Sequence, residues 1–500
     1  MSSIARNRPG RPSILQALSS RRLPQGLPQG RLALLGMLAL TGCSTVNNVL
    51  GSVAGGSGPT EGQLGYVQGF LGGAVADEPR AALVARDVLS TGGTAVDAAV
   101  AAGFTLAVTL PSRTGLGGGG ACLVYTHARN QTEAVLFQGP ASVASGPRAD
   151  RPAAVPMLAR GLFALHTRAG RRPFEELVVP AEQLARFGTS TSRALAQDIA
   201  GVAGPLLADP AARAVFAPAG TPLREGETLL QPDLATTLAS LRTAGVGDLH
   251  QGALARRVEQ LSAQAGGPIR VEDLRAALPS FAPPIQMTVG NDLLSFLPPP
   301  ADGGLAAAVA FKALQGNASL QAAGQQGLAA AMAWRQGGRD AAALLANPPQ
   351  ASAGLPVLPA SASLVTLDRD GNAVTCAFSL NNLFGTGRVV PQLGFVLAAA
   401  PARGRVEPPL LSAVLAHNVS LKAFRYAGAG TGQAEAPVAA ALPAARHLLG
   451  REPVAAAVAA VPEPGRANAI GCTAYMPGRA DQCTAAADPR SAGLAVAGQQ

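Results

Sequence analysis

With 500 residues and 48% apolar content, the chain can bury a large core and more than one substructure. Aromatic residues make up only 4%, so that core has to be packed from small aliphatic side chains. The net charge of +9 suggests nucleic acid until it is located. Arg6, Arg8, Arg11, Arg21, Arg22 and Arg31 all precede the first apolar run, and removing those six leaves +3 with no basic-aromatic patch, so no nucleic-acid partner is expected. With five histidines and no Cys/His spacing of the zinc type, neither a metal nor a cofactor is expected.

In chain order, the basic leader runs into Leu32-Ala-Leu-Leu-Gly-Met-Leu-Ala-Leu40, which is too short to span a bilayer but suits the core of a signal peptide. Leu40-Thr-Gly-Cys43 resembles a bacterial lipobox. Residues 1–42 are therefore read as a lipoprotein signal peptide, Cys43 as the lipid-attachment residue and 43–75 as a flexible tether, with an ordinary signal peptide as the alternative. The expected place is the periplasm, lipid-anchored to the bacterial membrane, the outer one by preference.

Helices are predicted over 80–89 and 95–110, separated by Gly92-Gly93, the second nearly all apolar and hence buried. Gly115-Leu-Gly-Gly-Gly-Gly120 lacks the Lys-Ser/Thr of a nucleotide loop and precedes a strand (121–125), so close backbone packing explains it better. A second strand follows at 134–138. From 157 to about 266 the pattern is helical, as at 174–187, 233–243 and 253–263. Residues 283–300 return to strand-like sequence and end in a proline loop. Ala-rich helical sequence over 320–346 gives way to a Pro/Ala/Ser connector up to Ala360. Strands are predicted at 395–399, 413–421 and 423–427, then a helix at 436–449. Cys122 and Cys376 lie in strand-like runs and read as buried small hydrophobes. Cys472 and Cys483 flank Pro477-Gly478 and either bridge a hairpin or stay free.

The most informative stretch begins at Ser361. Two apolar runs, 364–367 and 373–380, flank the turn residues Asp368, Asp370, Gly371 and Asn372, so the segment reads as a β-hairpin. A hydroxyl residue stands at the start of one strand, and Ser379 and Asn381 close the other. That is the layout of an N-terminal-nucleophile hydrolase, in which the chain is cut before a Ser, Thr or Cys and the freed α-amine serves as base. An α-amine titrates near ~8, close enough to neutral for that role.

Asp368-Arg-Asp-Gly-Asn-Ala-Val374, Ser379-Leu-Asn381 and Phe384-Gly-Thr-Gly387 together resemble the γ-glutamyltransferase (glutathione hydrolase) family, without a gap. Gly92-Gly-Thr-Ala-Val-Asp-Ala-Ala-Val100, Gly115–Gly120, Pro298-Pro-Pro-Ala-Asp-Gly-Gly304 and Asp488-Pro-Arg490 are similar to further blocks of that family, so the resemblance runs from about residue 76 to the end. Around 317–360 the family carries a longer segment. The resemblance implies a four-layer α-β-β-α sandwich, an α/β (α+β) fold. It further implies a chain cut before Ser361 into a large-subunit region (76–360) and a small-subunit region (361–500) that stay together as a heterodimer.

In that register Ser361 stands on the family's nucleophilic Thr, with Ser363 as its rival if the strand slips. Ser379 stands on the second Thr, whose hydroxyl bonds to the nucleophile, and Asn381 on a substrate-binding Asn. Thr431 and Gly432 stand on the backbone donors of the oxyanion hole, and Ser412 on one of two paired serines, the other replaced by Leu411. The departures fall on glutamyl recognition. Gln138 replaces the Arg that binds the substrate α-carboxylate, and Arg403 stands where an Asp grips the α-ammonium, so both charge anchors are missing or inverted. The expectation is an amide hydrolase or acyltransferase on a small-molecule amide, γ-glutamyl or other, with weakened glutamyl recognition. Its rivals are an acylase for another N-acyl substrate, one bearing a carboxylate that Arg403 meets, and an inactive lipoprotein scaffold.

Overall fold

Two antiparallel sheets packed face to face carry the architecture, and small side chains let them approach. The computed structural model describes residues 72–146, 148–349, 360–403 and 406–497. The signal peptide, Cys43 and most of the expected tether and connector lie outside the described residues.

The strands in chain order are β1 (Gly73–Ala76), β2 (Gly119–Thr126), β3 (Gln131–Phe137), the short pair β4 (Thr189–Ser190) and β5 (Thr228–Leu229), β6 (Ser280–Ala282), β7 (Ile285–Val289), β8 (Asp292–Phe296), β9 (Ala362–Leu367), β10 (Ala373–Ser379), β11 (Ser412–Asn418), β12 (Ala423–Thr431), β13 (Arg466–Met476), β14 (Cys483–Ala487) and β15 (Leu494–Ala497). One sheet has the order β15-β1-β9-β10-β2-β3-β6, the other β14-β13-β12-β11-β8-β7. Residues 73–75, read from sequence as the end of the tether, form with Ala76 a buried strand between β9 and β15.

Strand alternation sorts the side chains into layers. On β9, Ala362 and Leu364 pack with the helices Pro79–Ser90 and Ala95–Thr109, while Val365 and Leu367 join Ala427, Ala429 and Ile470 between the sheets. On the far side Leu294, Val414 and Tyr426 pack with the helices Gly303–Gln315 and Ala436–Leu448. The layers are therefore α-β-β-α.

The motifs read from sequence have local physical causes here. Asp368 bonds the turn N–H groups of Asp370 (3.0 Å) and Asn372 (2.9 Å) and the N–H of Ala95 (3.0 Å), tying the β9–β10 turn to the start of the buried helix. Thr94 and Asp97 form a capping box on that helix. The glycine block packs backbone on backbone: a Cβ on Gly119 would stand 2.2 Å from the Phe137 carbonyl oxygen, and one on Gly117 2.2 Å from that of Val396. Residues 395–399 do not form the predicted strand. They make isolated bridges to three separate places, Val396 to Val389, Leu397 to Gly117 and Ala399 to Ala153, so no single neighbour offers a ladder.

Cys122 and Cys376, expected as unpaired thiols, are joined by a disulfide, and Cys472 is joined to Cys483. In each case the two residues stand directly opposite on neighbouring strands, β2 with β10 and β13 with β14.

Three buried histidines, His250, His417 and His447, are pushed by burial below the ordinary imidazole range, the first two to about 4, and should make the fold acid-sensitive. Burial, helped by the charge of Arg160, pushes His250 down from 6.5 to about 4. Burial likewise pushes His417 down to about 4, against the pull of Asp292; its ring stacks on Tyr125 with centroids 4.6 Å apart. Both folded-state values lie below the unfolded one, so the unfolded chain binds more protons between them. Stability is then complete above about pH 6.5 and is lost as pH falls toward 4, by up to roughly 3 kcal/mol per histidine. Urea midpoints measured from pH 7.5 to 4.5 should show this slope, and the double variant His250→Gln/His417→Gln should reduce it, leaving the share of His447. A wild-type slope in the double variant would assign the acid sensitivity elsewhere.

Candidate active site

Ser361 stands one residue before β9 and is almost fully buried, at 3% exposure. Counting by twos along the strand puts it on the face of Ser363 and Val365, toward the other sheet. Opposite it β12 ends at Thr431, followed by Gly432 at φ +114°, a conformation glycine adopts readily. A Cβ on Gly432 would also stand 2.7 Å from the Pro464 carbonyl oxygen, so size and backbone angle both call for glycine. Ser361, Thr431 and Gly432 line one cleft of about 270 Å³. Among the described residues neither the Ser361 hydroxyl nor the Gly432 N–H has a hydrogen-bond partner.

Behind Ser361, the Ser379 hydroxyl donates to the carbonyl oxygen of Ala360 at 2.8 Å and accepts from the Asn381 N–H at 2.9 Å. That carbonyl belongs to the peptide bond joining Ala360 to Ser361. Asn381 takes a positive φ of 60°, and its Nδ2 donates to the Ala399 carbonyl at 2.9 Å.

Ser363 is engaged differently. Its N–H and hydroxyl both donate to Asp77 Oδ2 (2.7 and 3.2 Å), and its hydroxyl accepts from Asn468 Nδ2 at 2.9 Å. Asn468 Nδ2 also donates to Asp77 Oδ1 at 2.8 Å. Asp77 lines the same cleft, and burial pushes its carboxyl above the ordinary carboxylate range, against the charge of Arg113 and these hydrogen bonds. Arg113 in turn holds Asp198 with two bonds, Nε–Oδ2 at 2.7 Å and Nη2–Oδ1 at 2.9 Å. Sequence reading had singled out none of Asp77, Asn468, Arg113 and Asp198. The partners lie 286 residues apart (Asp77 and Ser363), 391 (Asp77 and Asn468) and 85 (Arg113 and Asp198), and no local pattern announces them.

The remaining sequence candidates lie outside the lining of this cleft. Gln138 follows β3 and donates at 3.4 Å to the Pro300 carbonyl in the proline loop, with its Oε1 buried and unpartnered among the described residues. Arg403 is exposed on a loop, bridged to Val406. Ser412 is fully buried at the start of β11 and donates to the Leu410 carbonyl at 3.0 Å.

Residues 81–348 match the family model described as Gamma-glutamyltranspeptidase. The chain belongs to this family. It is 32% identical over 244 residues to a glutathione hydrolase proenzyme of Bacillus subtilis (strain 168), covering 45% of this chain and 41% of that one. It is also 32% identical over 236 residues to the glutathione hydrolase proenzyme of Escherichia coli (strain K12), covering 44% and 40%. The match thus spans about two-fifths of these curated relatives. The fold is shared with a solved cephalosporin acylase from Bacillus halodurans, at TM-score 0.69 and 19% identity over 85% of this chain and 95% of that one. A structure titled LmbA2991T421A shares it too, at TM-score 0.66 and 19% identity over 86% and 99%.

Proposed function

We propose that this member of the family is an N-terminal-nucleophile amide hydrolase that cuts itself before Ser361. The observation that carries this reading is the Ser361 hydroxyl in the cleft, without a hydrogen-bond partner among the described residues, beside a peptide carbonyl already polarised by Ser379. In self-cleavage the Ser361 Oγ attacks the Ala360 carbonyl carbon while Ser379 donates to the developing oxyanion. The C–N bond breaks as the departing nitrogen takes up the Oγ proton, leaving an ester and a free α-amine on Ser361, and water then hydrolyses the ester to a carboxylate on Ala360 and the restored Ser361 hydroxyl. In turnover that amine takes the Oγ proton, Oγ attacks a substrate amide, and the Thr431 and Gly432 N–H groups receive the oxyanion. The amine product leaves with the proton, and water or an acceptor amine releases the acyl group.

Ser363 fits the nucleophile's part less well, because its hydroxyl already serves Asp77 and Asn468. Glutamyl recognition is weak in this reading, since Gln138 and Arg403 supply neither family anchor at the cleft. The relatives named glutathione hydrolase suggest γ-glutamyl amides as substrates; the acylase neighbour suggests another acyl amide, and the lost anchors favour the second. Two disulfides agree with an oxidising compartment, which supports the periplasm, and the lipobox-like Leu40-Thr-Gly-Cys43 supports a lipid on Cys43.

Intact mass after denaturation and reduction, which opens the Cys122–Cys376 bridge across the cut, and N-terminal sequencing of protein extracted from membranes test all three statements. The expected result is a small fragment beginning at Ser361 and a larger one beginning at a lipid-bearing Cys43, with Ser361→Ala left uncut. A fragment beginning at Ser363 moves the nucleophile, an unlipidated large fragment removes the anchor, and a wild-type chain that stays whole defeats the hydrolase reading.

A further inference from the structure

β1 and β9 separate just where the site begins. Their antiparallel register ends with Ala76 opposite Leu364, so Asp77 falls opposite Ser363. In a hydrogen-bonded pair of this kind each residue donates its N–H to the other's carbonyl. Here the main chain makes only half of that exchange. The Asp77 N–H donates to the Ser363 carbonyl at 3.2 Å, but the Ser363 N–H donates to Asp77 Oδ2 at 2.7 Å. The cause lies in the next two residues. Glu78 caps the helix Pro79–Ser90 and Pro79 opens it, so the main chain has turned away from β9 and the Asp77 side chain supplies the acceptor.

The same carboxyl group is held from the other sheet. Its Oδ1 accepts from Asn468 Nδ2 on β13, which also donates to the Ser363 hydroxyl. β1, β9 and β13 thus meet at one group, and Asp77 is only 5% exposed. The proposed cut makes this junction more important. The uncut chain is held ahead of Ser361 by the bond from Ser379 to the Ala360 carbonyl, and cleavage puts that carbonyl on a separate chain end. A chain end frays unless it is tied down. N–H groups two residues apart face the same edge of a strand, so the amine freed at Ser361 projects along the edge that β1 has left, ~7 Å beyond the N–H that Asp77 holds.

We propose that Asp77 is a positioning residue for Ser361: through the Ser363 N–H it keeps the cut head of β9 in strand geometry, so that the new amine and the hydroxyl stay aimed into the cleft. The proposal rests on Ser361 as the nucleophile. It gives Asp77 a hydrogen-bonding part and not an ionic one, in keeping with the burial that favours its neutral form. An amide can play the same part. In Asp77→Asn the oxygen of the new side chain accepts from Ser363. Its nitrogen donates to Asn468 once that amide turns end for end, because Asn468 Oδ1 has no other partner among the described residues.

The test uses the full chain and phenylmethanesulfonyl fluoride, a probe that needs no recognition of an acyl group. Ser361 Oγ forms an S–O bond as the S–F bond breaks, fluoride leaves, and the α-amine takes the Oγ proton. Intact mass of the reduced small fragment follows labelling at several probe concentrations, and thermal melting checks that each variant is folded. The expected result is wild-type labelling at Ser361. In Asp77→Ala the maximal rate falls about ten- to a hundredfold, the cost of an ångström-scale misplacement, with the half-saturating concentration unchanged. Asp77→Asn recovers most of the rate. If Asp77→Ala does not fold, Asp77→Ser takes its place, since a hydroxyl on Cβ keeps a polar atom there but falls short of the Ser363 N–H. Labelling of the truncated variant at the wild-type rate, or Asp77→Asn as slow as the truncation, overturns the proposal and leaves the nucleophile reading standing. A wild-type chain labelled at Ser363, or one neither cut nor labelled, overturns the nucleophile reading and this proposal with it.

Discussion

Denatured without reductant, the self-cleaved protein should run as one species, and with reductant as two. Cys122 precedes Ser361 and Cys376 follows it, so their disulfide bridges the proposed cut with a sequence separation of 254 residues. Both residues are fully buried, on adjacent strands of the seven-stranded sheet, so reduction should require unfolding. The native assembly does not depend on this bond alone. In one sheet β15, β9 and β10 come from beyond the cut and interleave with β1, β2, β3 and β6 from before it; in the other, β11 to β14 join β7 and β8. What the bond changes is the unfolded state. With it, unfolding stays unimolecular. In Cys122→Ser/Cys376→Ser the two pieces can diffuse apart, so the denaturation midpoint becomes concentration-dependent, with a loss of about 2–5 kcal/mol expected. Two species without reductant would mean that the bond does not form, and one species under both conditions that the chain is not cut.

Replacing Ser379 by Ala should slow self-cleavage about 10²- to 10³-fold, the usual cost of one oxyanion donor. The wild-type hydroxyl donates to the Ala360 carbonyl at 2.8 Å, on the peptide bond to be broken. It also accepts the Asn381 N–H, so the variant leaves a buried donor unpaired at about 1–3 kcal/mol. The two effects separate experimentally. Conversion of freshly refolded precursor, followed by electrophoresis, reads the first, and thermal melting of the uncut chain reads the second. Ser379→Thr restores the hydroxyl and should recover most of the rate. Conversion of Ser379→Ala at the wild-type rate would mean that Ser379 only holds the turn at Asn381.

Much of the architecture was legible because its causes are local. The helix predicted over 174–187 is Phe174–Phe187, and the hairpin around Gly371 forms β9 and β10, since capping, turn chemistry and periodicity act within a few residues. Segment 395–399 shows the limit: its apolar run reads as a strand, but a strand needs a continuous neighbour, and Val396, Leu397 and Ala399 each meet a different one.

The sequence by itself determined the family, the sandwich and the position of a hydroxyl at the head of β9. The family and the hydroxyl follow from the motifs and their spacing, and the sandwich from the resemblance those motifs carry. Tertiary structure alone decided that Cys122 meets Cys376, that Ser363 is bound by Asp77 and Asn468 while Ser361 is not, and that Arg193 rather than Arg403 lines the cleft. Each depends on which strand or helix becomes whose neighbour. That choice is made by the packing of whole layers, so it leaves no periodic trace in the segments it brings together.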